Sequence, residues 1–234
     1  PVSEPEIRYF FHNTIKSIHN IPLILANSLS LSIGLDKFKT IAFLRDNNFP
    51  YPKTQRQNGN LDLDYPIIAK SNTGSGSKSI LKIEDELDLF YTTRKFPDHI
   101  LQEFLPEDEG EFTCGLFRSS EGEIRHIVFK RDLLSGYSVF GEVVENESIN
   151  QLLVKLANAL NLKGSINVQL RLVNGKPNIF EINPRFSSTV RFRDLFGFKD
   201  VLWVLEDLLN SEISNYEKPS MGSKFFKVFN EYII

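Results

Sequence analysis

The sequence predicts an α+β protein built on antiparallel hairpins with amphipathic helices laid over them. Three observations predict it. Asn174-Gly175 separates two alternating apolar runs, 166–173 and 178–182, and that dipeptide is a strong hairpin signal. The loop 71–79, SNTGSGSKS, joins a buried strand at 65–70 to a returning strand at 80–83. The segment 148–162 puts Leu152, Leu153, Leu156, Ala159 and Leu160 on one helical face.

Length and composition bound the answer. A chain of 234 residues buries a sizeable core, as one domain or as two intimately joined ones. Its 41% hydrophobic and 24% charged content is that of a soluble globular protein. A net charge of −3, with Lys and Arg scattered, argues against a nucleic-acid footprint. The single cysteine, Cys114, excludes an internal disulfide framework and fits a reducing, cytoplasmic compartment. There is no apolar run of about 18 residues, so no membrane partner is expected. The chain starts at Pro1, which reads as a processed chain or a fragment.

Taken in order, Ser3 and Glu6 form a capping box before Ile7, Phe10, Phe11, Ile15 and Ile18 at helical spacing. Residues 21–26 read as a short buried strand. One helix and one strand resemble the last unit of an α/β domain. Residues 36–48 read as a helix capped by Asp36, with Lys37 in the first turn, where a cation opposes the helix dipole. Lys37 is therefore either solvated or placed to meet an anion. Pro50 and Pro52 end that helix.

The strand at 65–70 ends in Lys70. The loop after it suits phosphates, because glycine lets backbone N–H groups approach oxygens closely, and it suits a plain flexible hairpin equally. It is neither a P-loop nor a GxGxxG turn. Then come a helix at 84–94, a strand at 100–105 and an acidic loop at 107–111. Strands at 112–117 and 124–130 pair around Glu121-Gly122, with Lys130 and Arg131 at their end. Gly136 and Gly141 bracket an irregular segment. A helix at 200–209 and an apolar strand at 224–234 finish the chain. The four histidines lack metal spacing, Cys114 has no CxxC partner, and no GxSxG occurs. The 20 phenylalanines read as packing.

The region 165–188 carries most chemistry. Gln169 and Arg171 share one face of its first strand, and Glu181 and Asn183 share one face of its second. Carboxylate and amide oxygens beside Arg185 suit a hard cation bound to phosphate, since Mg²⁺ is held by one or two carboxylates plus substrate phosphates. The same face also reads as the solvated side of an edge hairpin. Parity separates the two. A two-residue turn pairs Val173 with Lys176 and sends Gln169 opposite Phe180, with Glu181 on the wrong face. A shared metal needs Gln169 opposite Glu181. The expectation is an odd-length or bulged turn at 173–176.

Together LDKFKT, the FPYPK stretch at 49–53, PIIAKSNTGSGSKSI, LQEFLPEDEGEFT and GSINVQLRLVNGKPNIFEINPRFSS resemble the ATP-grasp superfamily, and within it the carbamoyl-phosphate-synthase-like carboxylate–amine ligases. The resemblance spans roughly 36–209. It implies two α+β subdomains gripping ATP between antiparallel sheets: 36–105 with the Gly-rich flap and 106–234 with the metal hairpin. Residues 1–35 would be the remnant of a preceding α/β domain.

The resemblance also implies roles. Lys37 and Lys70 contact the nucleotide, with Gly74, Ser75, Gly76 and Ser77 in the phosphate-covering flap. Gln102, Glu103, Phe104 and Leu105 border the adenine, and Glu111 meets the ribose, with Glu109 as its rival. Gln169, Glu181 and Asn183 ligate one or two Mg²⁺, for which Mn²⁺ substitutes, and Arg185 meets the transferring phosphoryl group. Beyond the resemblance, a ligase reading makes Lys130, Arg131 and Arg191 the candidates to meet the acceptor. Gln169 stands where most of the superfamily has a carboxylate. The implied activity activates a small carboxylate as an acyl phosphate for attack by an amine. Alternatives are phosphorylation of bicarbonate, and a non-catalytic ATP-binding module or fragment of a split enzyme. The implied partners are the two small substrates, and a second copy or a chain supplying the N-terminal domain.

Overall fold

The structure, a computed structural model, describes residues 1–57, 60–74, 80–134 and 136–228. The chain opens with α1, Glu4–His12, held by the expected Ser3–Glu6 capping box. A two-residue pair, β1 Ser17–Ile18 and β2 Ile21–Pro22, follows, then α2, Ser28–Gly34, and α3, Lys37–Asp46. The N-terminal part thus differs from expectation. α1 stops at His12, so Ile15 and Ile18 lie beyond it, and the strand expected at 21–26 shrinks to two exposed residues. α2 was not foreseen; its Ser-Leu-Ser-Leu-Ser alternation imitates a strand.

The first sheet has the order β3-β6-β4-β5, all antiparallel, from β3 Thr54–Arg56, β4 Ile67–Ser71, β5 Leu81–Ile83 and β6 His99–Glu103. Ile67, Ala69, Ile83 and Leu101 form its core beneath Leu89 of α4, Glu86–Lys95. The second sheet contains β7 Glu111–Arg118, β8 Ile124–Leu134, β9 Tyr137–Val143, β10 Gly164–Val173, β11 Lys176–Asn183 and β12 Lys224–Phe226. Its order is β11-β10-β7-β8-β9-β12. β9 occupies the segment expected to be irregular: Gly141 is a strand residue whose missing Cβ makes room for the Phe225 ring. β12 is shorter than expected, and residues 229–234 of that expected strand lie outside the described residues.

The second sheet has two different faces. One is apolar: Cys114, Leu116, Val128, Ile166, Val168, Leu170, Ile179 and Ile182 pack under α3 and α5, Glu147–Ala159. The other is divided. Half is a second core, where Phe117, Phe129 and Phe225 meet Phe198 and Trp203 of the segment containing α6, Val190–Leu195, and α7, Asp200–Leu208. The remaining half is polar and turns toward the first sheet. Among the described residues no helix is long and apolar enough to cross a membrane.

The β10–β11 hairpin satisfies the parity requirement in a different way from the one expected. The turn is a plain two-residue one: Val173 pairs with Lys176, and Asn174 and Gly175 both adopt positive φ, +52° and +71°. That is the turn whose twist suits a hairpin. The extra residue lies farther up, in the strand. Leu170 pairs with Ile179 and Gln169 with Glu181, so Phe180 is a β-bulge. A bulge sets two residues against one and re-aims the side chains beyond it. Ile179 therefore faces the core, Phe180 and Glu181 both face the polar side, and Ile182 returns to the core.

Gly34, the last residue of α2, packs on the outgoing end of β11. A Cβ there would sit 2.5 Å from Pro184 Cδ and 2.9 Å from the Ile182 carbonyl oxygen. Because backbone cannot give way like a side-chain tip, Gly34→Ala should cost roughly 1–3 kcal/mol. Urea unfolding measures this; an unchanged midpoint would show that α2 does not fix that end of β11.

Candidate functional site

A cavity of about 570 Å³ lies between the two sheets, the size of a small-molecule site. The first sheet and its loops supply Lys70, Ser71, Thr73, Gly74 and the run from Gln102 to Leu105. The second supplies Glu111, Arg131, Asn167, Gln169, Arg171, Phe180, Glu181 and Asn183, followed by Arg185, and α3 adds Lys37.

Lys37 is the first residue of α3, which starts there because the Asp36 side chain caps the Lys39 N–H at 2.9 Å. Its ammonium donates to the Gly74 carbonyl at 2.6 Å. The Gly74 N–H donates in turn to Glu4 at 2.9 Å, and the same carboxylate oxygen takes Arg8. The start of the Gly/Ser loop is thus held from both sides. Ser75, Gly76 and Ser77, expected in the flap, lie outside the described residues.

Lys70 is buried, and its ammonium reaches the carbonyl of the bulge residue Phe180 at 3.4 Å. No carboxylate lies within ion-pair distance of it among the described residues. Burial lowers its pKa to about 8, with attraction to Glu181 partly opposing. Gln102 is buried and donates to the Thr54 hydroxyl at 2.8 Å. The Glu103 N–H goes to the Lys53 carbonyl, its carboxylate accepts the Lys53 N–H, and the Leu105 carbonyl accepts from Arg171.

Glu111 is clamped. One oxygen accepts from Arg131 at 2.7 and 3.1 Å, the other from Arg171 at 2.7 and 3.0 Å. Its three-residue row Arg171–Glu111–Arg131 is set by register across β10, β7 and β8. A ribose contact by Glu111 would have to share these oxygens. Its rival Glu109 points away, accepting the Gly175 N–H at 2.8 Å. Glu107, not foreseen, does line the cavity and pairs with Arg171.

Two expected acceptor-binding cations are elsewhere. Lys130 and Arg131 are neighbours on β8, so they face opposite sides: Arg131 is buried in the cavity wall and Lys130 is exposed, lying over Gly110. Arg191 is exposed on α6 and pairs with Asp194. Arg185 lines the cavity, donating to the Phe186 carbonyl at 3.0 Å and to Asn183 Oδ1 at 3.4 Å; it meets no carboxylate among the described residues.

The expected metal ligands converge, with one qualification of role. Glu181 faces the cavity and forms no hydrogen bond or ion pair among the described residues. Asn183 stands beside it with only the long contact to Arg185. Gln169 is opposite Glu181, but its Oε1 accepts from Arg131 at 2.8 Å. No group of three His, Cys, Asp or Glu that could hold a metal alone occurs among the described residues. This donor set suits Mg²⁺ shared with phosphate oxygens, not a closed protein cage. Glu181 and Asn183 fit such an ion, and Gln169 fits it once its oxygen leaves Arg131.

A buried layer beneath the cavity escaped the sequence reading. Arg193 of α6 is fully buried; it bonds Asn167 Oδ1 and pairs with Asp200 at 3.5 Å. Thr113 also donates to Asn167 Oδ1, and Ser165 donates to Asp200. Burial lowers the Arg193 pKa and raises that of Asp200. Gly115 makes the space, since a Cβ there would meet Phe198 at 2.8 Å and Arg193 at 3.0 Å. Asn167 had a signal, two residues before Gln169 on the same face; Arg193 had none in its own stretch. Cys114 lies on the apolar face, its thiol pushed up to about 12 by burial, and is inert.

A family description reading "ATP-grasp domain" matches residues 35–189. An ADP complex of an N5-carboxyaminoimidazole ribonucleotide synthetase superposes with a TM-score of 0.71 at 19% identity, over 82% of this chain and 56% of that one. An L-amino acid ligase from Bacillus licheniformis gives 0.65 at 18%, over 81% and 50%. A biotin carboxylase–βγ-ATP complex from Campylobacter jejuni gives 0.72 at 14%, over 95% and 55%. The chain spans about half the length of these proteins.

Lys70 gives this site a pH signature. Between about pH 8 and 10.5 the unfolded chain keeps the Lys70 proton and the folded protein does not. Stability from this group therefore rises with pH across that window. Lys70→Met should lose the rise. Urea midpoints of both proteins at pH 7.5 and 9.5 test it; parallel pH trends would contradict the burial of a lowered ammonium.

Proposed function

The chain belongs to the ATP-grasp family, and on that premise we propose that it binds Mg·ATP between its two sheets and activates a small carboxylate as an acyl phosphate for attack by an amine. The observation that carries the reading is the convergence, on one cavity, of cations from both sheets with the unpartnered Glu181 carboxylate. The buried Lys70 ammonium is what an anionic ligand would neutralise.

In this reading residues 36–105 and 106–234 act as two jaws. Lys37 and Lys70 hold the phosphates, with the loop from Gly74 closing over them. The apolar walls of Ile68, Phe104, Leu105 and Phe180 enclose the base. Glu181 and Asn183, joined by Gln169, would hold Mg²⁺, which supplies charge neutralisation on the phosphate oxygens. Phosphoryl transfer needs positioning and charge stabilisation more than covalent help, so the absence of histidine and cysteine from the described lining is no obstacle. A carboxylate oxygen attacks the γ-phosphorus, the bond to the β–γ bridging oxygen breaks, and ADP leaves. The amine then attacks the acyl carbon, phosphate leaves, and the amine loses a proton. Arg185 stabilises the transferring group in the first step.

Mg·ATP should raise the melting temperature, because a ligand that binds only the folded state stabilises it. Bound phosphate should restore the Lys70 proton, so affinity should fall as pH rises above about 8, with proton uptake on binding. Calorimetry in two buffers of different ionisation enthalpy reads that uptake; its absence at pH 8.5 would remove Lys70 from the phosphates. Glu181→Gln keeps shape but removes a metal-neutralising charge, and should abolish acid-dependent ADP release while the protein stays folded. Unchanged turnover would take Glu181 out of the metal site. An Mg·ATP shift with no acid-dependent ADP release across a broad screen would favour a binding module.

A further inference from the structure

The loop that follows β4 is rooted on two helices at once. Its first residues cap α3: the Lys37 N–H donates to the Asn72 carbonyl at 3.0 Å, and the Phe38 N–H to Asn72 Oδ1 at 2.9 Å. These are N–H groups that a helix leaves unpaired at its start. Gly74 then faces both ways. At φ +95°, a backbone that glycine adopts without strain, it turns its carbonyl to the Lys37 ammonium and its N–H to the Glu4 carboxylate of α1. A Cβ at Gly74 would meet nothing within 4 Å, so conformation, not space, calls for the glycine.

The α1 side of this junction is equally well tied. Glu4 is buried, and the oxygen that accepts the Gly74 N–H also accepts Arg8 at 2.7 Å. The same Arg8 nitrogen donates to the Leu35 carbonyl at 2.7 Å, at the junction of α2 and α3. Arg8 answers the Glu4 charge, so the pair brings no net charge toward the cavity. Neither residue is part of the cavity lining, and both precede the residues 35–189 that the family description matches.

A lysine ammonium has three N–H groups and no acceptor. Gly74 takes one from Lys37, and among the described residues no other partner takes the rest, which leaves them for the cavity that Lys37 lines. A lysine that is free before binding must be immobilised by its ligand, and that ordering weakens binding. Here a carbonyl holds the ammonium beforehand, and Glu4 holds that carbonyl through the N–H of the same residue.

Resting on the reading that Lys37 holds nucleotide phosphates, we infer that Glu4 is a positioning residue of that site. Glu4 fixes Gly74, Gly74 fixes the Lys37 ammonium, and the nucleotide meets a cation already in place. Helix α1 thereby belongs to the nucleotide site without touching the nucleotide.

Calorimetric titration of Mg·ATP into the full chain and its variants tests this. Glu4→Ala removes the acceptor and should weaken binding about fivefold, the scale of ordering one long side chain. Glu4→Gln keeps an oxygen for Gly74 and Arg8 while removing the charge, and should bind within about twofold of wild type. Lys37→Met should weaken binding by itself, and adding Glu4→Ala should weaken it no further, because both act on one ammonium. Urea midpoints without nucleotide report that each variant is folded. Three results would each overturn the inference and leave the ligase reading standing: wild-type binding by Glu4→Ala, a Glu4→Gln protein as weak as Glu4→Ala, or additive losses in the double variant. Wild-type affinity in Lys37→Met would take Lys37 off the phosphates and the inference with it. No binding of Mg·ATP by the wild type would overturn both readings. Should Glu4→Ala not fold, hydrogen exchange of the wild-type α1 amides decides. Coupling is reciprocal, so Mg·ATP should slow their exchange by up to about fivefold, and unchanged exchange would overturn the inference.

Discussion

One inserted residue governs the geometry of the site. β10 and β11 are joined by a two-residue turn, and without the bulge at Phe180 the ladder would put Glu181 against the apolar core under α3 and α5. A carboxylate there would be uncompensated in the least polar part of the molecule. The bulge turns Glu181 to the cavity, opposite Gln169, while leaving Ile179 and Ile182 in the core. It also aims two further groups inward: the Phe180 ring, which lies between Lys70 and Arg171 at 5.6 and 5.7 Å, and the carbonyl that receives the Lys70 ammonium. A single backbone irregularity thus couples the Glu181 carboxylate on one sheet to the buried cation on the other.

Charge balance around this hairpin is deliberately incomplete. Glu111 answers two arginines, and bidentate geometry makes that pair of bonds specific in direction. Lys70 and Arg185 remain without ion-pair partners among the described residues, and Glu181 without a counter-ion at contact distance. In a low-dielectric cleft these are costly groups to leave uncompensated, which is how binding sites store electrostatic complementarity for a ligand. Gln169 shows the same economy. Being neutral, it can receive Arg131; a carboxylate there would compete with Glu111 for that arginine and add negative charge beside Glu181.

Beneath this surface, α6 and α7 hold the polar floor in place. Arg193 reaches through the space left by Gly115 to fix Asn167, and Asp200 at the start of α7 anchors Arg193. Breaking such a pair leaves an uncompensated charge in the interior, so the helices are tied to the sheet by electrostatics as well as by Phe198 and Trp203. The orientation of the Asn167 amide follows from a residue 26 positions farther along the chain.

The sequence alone determined the features that depend on neighbours in the chain. Alternation on 166–173, the Asn174-Gly175 turn, the Ser3 and Asp36 caps and the face of 148–162 are local, and each appears where its residue types require. Parity even showed that a face shared by Gln169 and Glu181 needs one residue out of step. Where that residue sits was beyond it, because the turn and the strand satisfy parity equally well, and packing of Ile179 into the core chooses the strand. The partners of charge were decided by tertiary structure for the same reason. Lys130 and Arg131 look alike as a dipeptide, and only the sheet's two faces separate an exposed lysine from a buried arginine. Nothing in the residues around Glu111 shows that two arginines, from β8 and β10, hold its oxygens. Leu133 and Tyr137 read as ordinary strand residues until the cavity opens beside them. Local periodicity fixes which way a side chain leaves its own strand; what it meets there is a matter of contacts across the fold.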